Sequence, residues 1–236
     1  VEFDPPLVEA VILKRYKRFL ADVRLASGEI ITVHCPNTGS MKHCVVAETP
    51  CWFSLSDNPK RKLPGTLELT TTTLGFIAGV NTARPNQLVR EAIESEAVKE
   101  LRGYDRMRSE VKYGDENSRI DLLLENDRQQ CFVEVKNVTL ENSGGLISFP
   151  DAVTSRGAKH LRELMAMVAQ GHRAVLFFCV QHSGAQQVTV AADIDPLYAE
   201  TLKQALAAGV EVLAYGCRLS PTEIAVTRRL DFILPL

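Results

Sequence analysis

The chain of 236 residues is 45% hydrophobic and 24% charged, with a formal net charge of −2. Those proportions describe a folded globular protein of one large or two modest domains. They exclude a chain-wide electrostatic pull toward nucleic acid, and no apolar run approaches the roughly 20 residues that a helix needs to span a bilayer.

At the start, Val1-Glu-Phe-Asp-Pro-Pro6 lacks a basic stretch followed by an apolar one, so the expectation is a cytoplasmic protein without a secretion signal. Residues 1–82 offer strand candidates at 11–16, 19–25, 29–35, 49–56, 66–72 and 76–80, separated by turn signals such as Ser27-Gly28. No helical period interrupts them, which points to a small all-β barrel or sandwich. The pattern changes from residue 83. Residues 86–101 carry Val89, Ile93, Ala97 and Leu101 as a helical stripe, with Gly103 as its stop. Strands are then expected at 107–113, 119–125 and 130–138, and a loop rich in Gly and Ser over 141–149. A helix over about 151–170 shows Leu161, Leu164, Met165 and Val168 on one side, and residues 174–180 read as a strand buried on both faces. A helix over 195–208 and a strand over 210–215 complete the series. The order α-β-β-β-α-β-α-β implies a mixed sheet flanked by helices.

Six scattered cysteines (35, 44, 51, 131, 179 and 217) form no Cys-x-x-Cys pair and read as buried free thiols. His34-Cys35 and His43-Cys44 offer zinc-type ligands, but adjacent pairs fit tetrahedral spacing poorly.

The chemistry concentrates at 119–138. Period-two alternation in Arg119-Ile-Asp-Leu-Leu-Leu-Glu125 and Gln130-Cys-Phe-Val-Glu-Val-Lys136 marks two strands joined by residues 126–129. Pairing symmetric about that connection sets Asp121 opposite Glu134, with Lys136 one step along the same face. Residues so placed stand about 5 Å apart, and facing carboxylates repel unless a cation lies between them. Mg²⁺ takes hard oxygen ligands, commonly one or two protein carboxylates with water and phosphate. Asp121 and Glu134 are therefore candidate metal ligands, with the Val135 carbonyl as an additional one. Lys136 is placed to orient an attacking water or stabilise an oxyanion. If residues 114–117 form the preceding connection, Glu110 faces Asp121 as a third carboxylate. The alternative is a set of ordinary charge pairs on a solvent-facing sheet.

A helix, three strands bearing Asp and then Glu-x-Lys, a helix and a buried strand resemble the core of the PD-(D/E)xK nuclease superfamily. The resemblance implies that Asp121 and Glu134 bind Mg²⁺ or Mn²⁺ and that Lys136 assists phosphodiester hydrolysis. Ile120 stands where that superfamily often has Pro. It also implies a glutamate from the first helix in the site, for which Glu91 is the first match and Glu94 the second. A second resemblance spans nearly the whole chain. His34-Cys-Pro-Asn-Thr-Gly-Ser-Met41, Ser109-Glu-Val-Lys-Tyr-Gly114, Ser118-Arg-Ile-Asp121, Glu134-Val-Lys136, Phe149-Pro-Asp-Ala-Val-Thr154 and Arg156-Gly-Ala-Lys-His-Leu-Arg-Glu-Leu164 are similar, in order, to blocks of the sugar fermentation stimulation protein A family. This implies an α+β chain with an OB-like β-barrel over 1–82 and an α/β, PD-(D/E)xK nuclease-like mixed-sheet domain over 83–236. It further implies a bacterial cytoplasmic protein that binds DNA without strong sequence preference and has a regulatory link to maltose metabolism.

Lys14, Arg15, Tyr16, Lys17 and Arg18 form the densest basic cluster, suited to phosphate neutralisation and base stacking in an OB groove. A barrel edge guarded by charge is the other reading. Lys60-Arg61-Lys62 leaves the same choice open. Arg156, Lys159 and His160, at i, i+3 and i+4, share a helix face beside the candidate metal site. Asn37 and Ser40 sit in a loop suited either to phosphate contacts or to a structural turn. Two functions stay open. One is a Mg²⁺-dependent phosphodiesterase acting on DNA, with RNA or a small phosphodiester as the other substrates. The other is a non-catalytic DNA-binding regulator that keeps the sheet as a scaffold. A homodimer stays open beside a monomer, and no membrane partner is expected.

Overall fold

The computed structural model describes residues 1–114, 116 and 118–234. Six strands come first: β1 (Val8–Tyr16), β2 (Leu20–Arg24), β3 (Ile30–His34), β4 (Thr49–Leu55), β5 (Gly65–Thr71) and β6 (Ile77–Gly79). They pair in the order β3-β2-β1-β4-β5-β6, and a parallel contact between His34 and Thr66 joins β3 to β5. The first five strands thereby close into an OB-type barrel, which removes their open edges. Inward residues such as Ile12, Val23, Val33, Phe53 and Leu67 fill it. Gly65 is required for the close pairing, because a Cβ there would lie 2.5 Å from the Phe53 ring.

The rest of the chain contains α1 (Arg84–Glu94), β7 (Arg106–Tyr113), β8 (Ser118–Glu125), β9 (Gln130–Val138), β10 (Leu140–Glu141), β11 (Leu146–Phe149), α2 (Ser155–Ala169), β12 (Arg173–Val180), β13 (Gln187–Val190), α3 (Pro196–Ala207), β14 (Glu211–Leu219), β15 (Ile224–Arg229) and β16 (Asp231–Ile233). A six-stranded sheet runs β15-β14-β12-β9-β8-β7, with β9, β12 and β14 parallel at its centre. Leu88 and Val89 of α1 pack on one face against Leu122, Val133 and Phe177. Leu161 and Leu164 of α2 and Leu202 of α3 pack on the other against Ile120, Phe132 and Phe178. This mixed sheet between helices is the PD-(D/E)xK-like plan expected from the element order. One carboxylate organises the second face. Asp195 caps α3 by accepting the Tyr198 N–H at 2.9 Å, and its other oxygen accepts the Thr154 N–H at 2.7 Å, where Thr154 itself caps α2.

Several expectations need correction. The helix expected over 86–101 ends at Glu94. Glu96 turns left-handed (φ 57°) and a 3₁₀ turn, Lys99–Leu101, follows, so one apolar stripe belongs to two elements. The expected Gly/Ser loop over 141–149 contains β10, a 3₁₀ turn and β11. β11 pairs with β13 to build a second, four-stranded sheet with β10 and β16. β13, β15 and β16 also escape sequence reading, being short and partly exposed.

The barrel is stitched to the mixed sheet. Ala78 of β6 bridges His182, and buried Glu141 accepts from the Thr72 hydroxyl at 2.9 Å and the Leu74 N–H at 3.2 Å. His182 Nε2 lies 3.0 Å from the same carboxylate. Glu68, buried on β5, accepts two hydrogen bonds from Arg84 at the start of α1, at 3.0 and 2.7 Å, so its buried charge is paired. All six cysteines are free and buried.

Candidate active site

The register around Asp121 explains how the site opens. β8 and β9 pair from Glu125–Gln130 to Leu122–Val133, as symmetric pairing requires, and the ladder stops there. On the other side, β7 and β8 pair at Ser109–Leu122 and at Val111–Ile120 but skip the position between. Glu110, the residue expected opposite Asp121, has a left-handed backbone (φ 55°). The connection expected at 114–117 includes Asp115 and Asn117, which lie outside the described residues. Asp121 thus has a ladder partner on neither side. Its carboxylate bridges the gap instead, with Oδ2 accepting the Val135 N–H at 2.7 Å and Oδ1 accepting Asn86 Nδ2 at 2.8 Å. The alternation breaks here too. Ile120 and Leu123 face the α2–α3 core, whereas Leu122 and Leu124 face α1. The simple face-to-face pair expected from the pleat is therefore replaced by a carboxylate lodged where two strands part.

Glu134 is 2% exposed. Its Oε1 takes Lys136 Nζ at 2.7 Å and a close contact from His160 Nδ1, while Oε2 is buried with no hydrogen-bond partner among the described residues. Arg156 Nε, which can only donate, points at His160 Nε2 from 3.2 Å. That assigns the imidazole proton to Nδ1, facing Glu134. Lys136 Nζ, 3.2 Å from the same Nδ1, is then a neighbour of the ring and bonds only to the carboxylate.

Burial, and then the charge of Glu134, push the Asp121 carboxyl above its ordinary range, against the Val135 N–H, Lys136 and Asn86. Burial also pushes Glu134 up. The hydrogen bond from His160 and the charge of Lys136 more than offset it, leaving Glu134 below the usual carboxylate range. Tyr113, Ser118 and Tyr198 add buried hydroxyls that have no partner among the described residues. Burial and the nearby charge of Glu134 raise both tyrosines. Unsatisfied buried oxygens around a carboxylate pair provide donors for a cation or an ordered water.

The other predicted residues are distributed unevenly. Val135, next to Glu134 in β9, supplies its N–H to Asp121. Glu91 does not reach the site. It accepts from Gln87 Nε2 and meets the Val1 nitrogen at 2.6 Å, and Glu94 pairs with Arg90. The α1 residue that does arrive is Asn86, five positions away and therefore about 140° around the helix at roughly 100° per residue. Glu110 is exposed and lines a cleft of about 490 Å³ together with Arg156, Lys159 and His160.

In the barrel, Lys14 lies 3.3 Å from Asp22 and over the Tyr16 ring, and the Tyr16 hydroxyl donates to Asp22 at 3.0 Å. The Arg15 guanidinium donates to the carbonyls of Arg18, Asn37 and Gly39 at 2.9, 2.8 and 2.9 Å. Asn37 Oδ1 accepts the Gly39 N–H, and the Ser40 hydroxyl donates to the Asp151 carboxylate. Arg15 and Asn37 therefore brace the barrel's 37–39 loop, and Ser40 ties that loop to Asp151 just ahead of α2. Lys17 and Arg18 alone of the basic cluster form an exposed turn (φ 48° and 66°) without a side-chain partner among the described residues. The Cys35 and Cys44 thiols donate to the Asn37 and Thr139 carbonyls. Among the described residues, no group of three or more His, Cys, Asp or Glu is gathered to hold a metal.

A family model described as the sugar fermentation stimulation protein RE domain matches residues 83–223, and one described as the SfsA N-terminal OB domain matches residues 13–80. The chain belongs to the sugar fermentation stimulation protein family. A family homolog from Teredinibacter turnerae is 60% identical over 232 residues, covering 98% of this chain and 99% of its own. One from Saccharophagus degradans is 56% identical over 233 residues, covering 99% and 100%. Among solved structures, SfsA of Pyrococcus furiosus in complex with Ca²⁺ is 28% identical with a TM-score of 0.87, covering 99% of this chain and 98% of that one. The family likeness extends over barrel and mixed sheet alike. No described helix is long and apolar enough to cross a membrane.

Proposed function

We propose that this family member binds nucleic acid, DNA foremost, and hydrolyses phosphodiester bonds with a divalent cation, Mg²⁺ or Mn²⁺, held by Asp121 and Glu134. The carrying observation is the buried Oε2 of Glu134, unpartnered among the described residues, on a carboxylate close enough to Asp121 for its charge to raise the Asp121 carboxyl. A cation between them would relieve both. Two protein carboxylates, with water and phosphate oxygens in the remaining positions, form a donor set that Mg²⁺ accepts. The Ca²⁺ complex of the Pyrococcus furiosus relative supports a hard, oxygen-seeking ion in this family.

Such a cation would neutralise charge on a scissile phosphate and acidify a water. The chain's own residues prepare the site. Val135 and Asn86 hold Asp121, His160 holds Oε1 of Glu134 so that Oε2 stays free, and Arg156 fixes the imidazole that does so. Lys136, held on Oε1 of Glu134, is placed to stabilise a developing oxyanion.

A second reading, a non-catalytic DNA-binding regulator with the maltose-metabolism link of its family resemblance, draws on the same cluster. Lys136 and His160 already occupy Oε1, so part of the charge of Glu134 is compensated by the protein alone. Incubation with single- and double-stranded DNA and RNA in Mg²⁺ or Mn²⁺ decides between them. The expected result is cleavage that falls at least about 100-fold in Glu134→Ala and Lys136→Ala, the lower end of what positioned acid–base groups contribute. No cleavage of any polymer, together with no heat of Mn²⁺ binding by calorimetry, overturns the enzymatic reading. Mn²⁺ binding without cleavage leaves the regulator.

A further inference from the structure

We infer that the phosphodiester backbone of the bound nucleic acid lies in the cleft between the β7–β8 hairpin and α2, held by Lys112, Arg119, Arg156 and Lys159, and not along the basic hairpin of the barrel. The inference rests on the reading of Asp121, Glu134 and Lys136 as a phosphodiester site. It adds the direction from which the substrate reaches them.

Three observations converge. First, Lys112 and Arg119 are register partners, directly opposite each other in the β7–β8 ladder. Like charges so placed repel, and none of the four cations forms a salt bridge with a carboxylate among the described residues. As facing carboxylates call for a cation, facing cations call for an anion. Second, the cleft they line, about 490 Å³ in volume, has His160 among its walls, and His160 contacts Glu134. A phosphate on these cations would therefore be next to the candidate metal ligands. Third, Glu110, the one carboxylate lining the cleft among the described residues, is held in the left-handed region (φ 55°) where the β7–β8 ladder skips a pair. Non-glycine strain of this kind gathers at functional sites.

The barrel cluster lacks these features. Arg15 is consumed by three carbonyls, and Lys14 is engaged with Asp22. Among the described residues only Lys17 and Arg18 remain free there, on the exposed turn between β1 and β2.

Fluorescence anisotropy of the full chain tests this, with short labelled single-stranded and duplex DNA and RNA, EDTA present so that nothing is cut, and salt as the variable. Lys112→Gln and Arg119→Gln should each reduce the magnitude of the log–log salt slope by about 0.9 on duplex DNA or about 0.7 on single strands, and Lys17→Gln/Arg18→Gln should leave it unchanged. Loss on DNA, on RNA or on both sustains the cleft path and identifies the polymer. The path is overturned by an unchanged slope in a Lys112→Gln/Arg119→Gln double variant that melts like the wild type, by loss confined to Lys17 and Arg18, or by no binding to any polymer. Should the double variant not fold, Arg156→Gln carries the same test from the opposite wall. Mn²⁺ calorimetry on the wild type is separate. Absent heat there sinks the metal-site reading and leaves the measured slopes to judge the cleft.

Discussion

Asp121 is expensive for the fold and useful for chemistry, and a single substitution should separate the two. Asp121→Asn removes a charge that burial and Glu134 both disfavour, and Asn86 can turn its amide to keep the local bond. In chelator, this variant is expected to gain about 0.5–2 kcal/mol, as relief of active-site strain commonly does. It should melt higher by roughly 2–4 °C for each kcal/mol and give no heat with Mn²⁺. A lower melting temperature would mark the carboxylate as structural. Arg15 should behave oppositely. Arg15→Ala strands three carbonyls and is expected to cost about 1–3 kcal/mol in urea unfolding, without changing the salt slope of nucleic-acid binding.

Among elements, the β7–β8 hairpin depends on α2. Glu163 accepts the Glu116 N–H at 2.7 Å, and Gly114, at φ 66°, leaves room for that carboxylate, which an added Cβ would overlap at 1.5 Å. Gly114→Ala should cost at least about 1 kcal/mol and weaken nucleic-acid binding, since Lys112 and Arg119 ride on the same hairpin. Thermal melts and anisotropy on one preparation check both. The hairpin registers are legible in the sequence, because period-two alternation around a short connection leaves one symmetric pairing. The opening at Asp121 is not legible. It depends on the backbone angle of Glu110 and on a bond to the Val135 N–H, neither of which hydropathy encodes. Asn86 in place of Glu91 is a matter of how α1 is rotated over the sheet. His160 reads as one more cation beside Arg156 and Lys159 until the crossing of α2 over β9 puts its ring on Glu134. β13, β15 and β16 carry too few residues for a period to emerge.

At the scale of the molecule, barrel and mixed sheet meet at a seam that includes His182 and Glu141. Burial holds the His182 imidazole below its ordinary 6.5, although Glu141 works the other way. The unfolded chain therefore takes up a proton that the folded chain resists. Stability from this group is complete above about pH 6.5 and is lost as the pH falls through that value toward the lower folded one. Thermal melts between about pH 8 and pH 5 should show that decline, and His182→Gln should flatten it. A wild-type profile no steeper than that of His182→Gln would remove His182 from the acid sensitivity of the seam.

The bond from Val135 to Asp121 has a practical consequence. A backbone amide that donates to a carboxylate feels any redistribution of that carboxylate's electrons, so its nitrogen and proton resonances form a built-in reporter. Titration of isotope-labelled protein with a diamagnetic cation should move the Val135 cross-peak early, in step with site occupancy. Amides in the closed ladder from Leu122 to Glu125 should lag behind it. Occupancy of the cleft by polymer alone should move Lys112 and Arg119 first, so one spectrum can time the arrival of ion and strand independently.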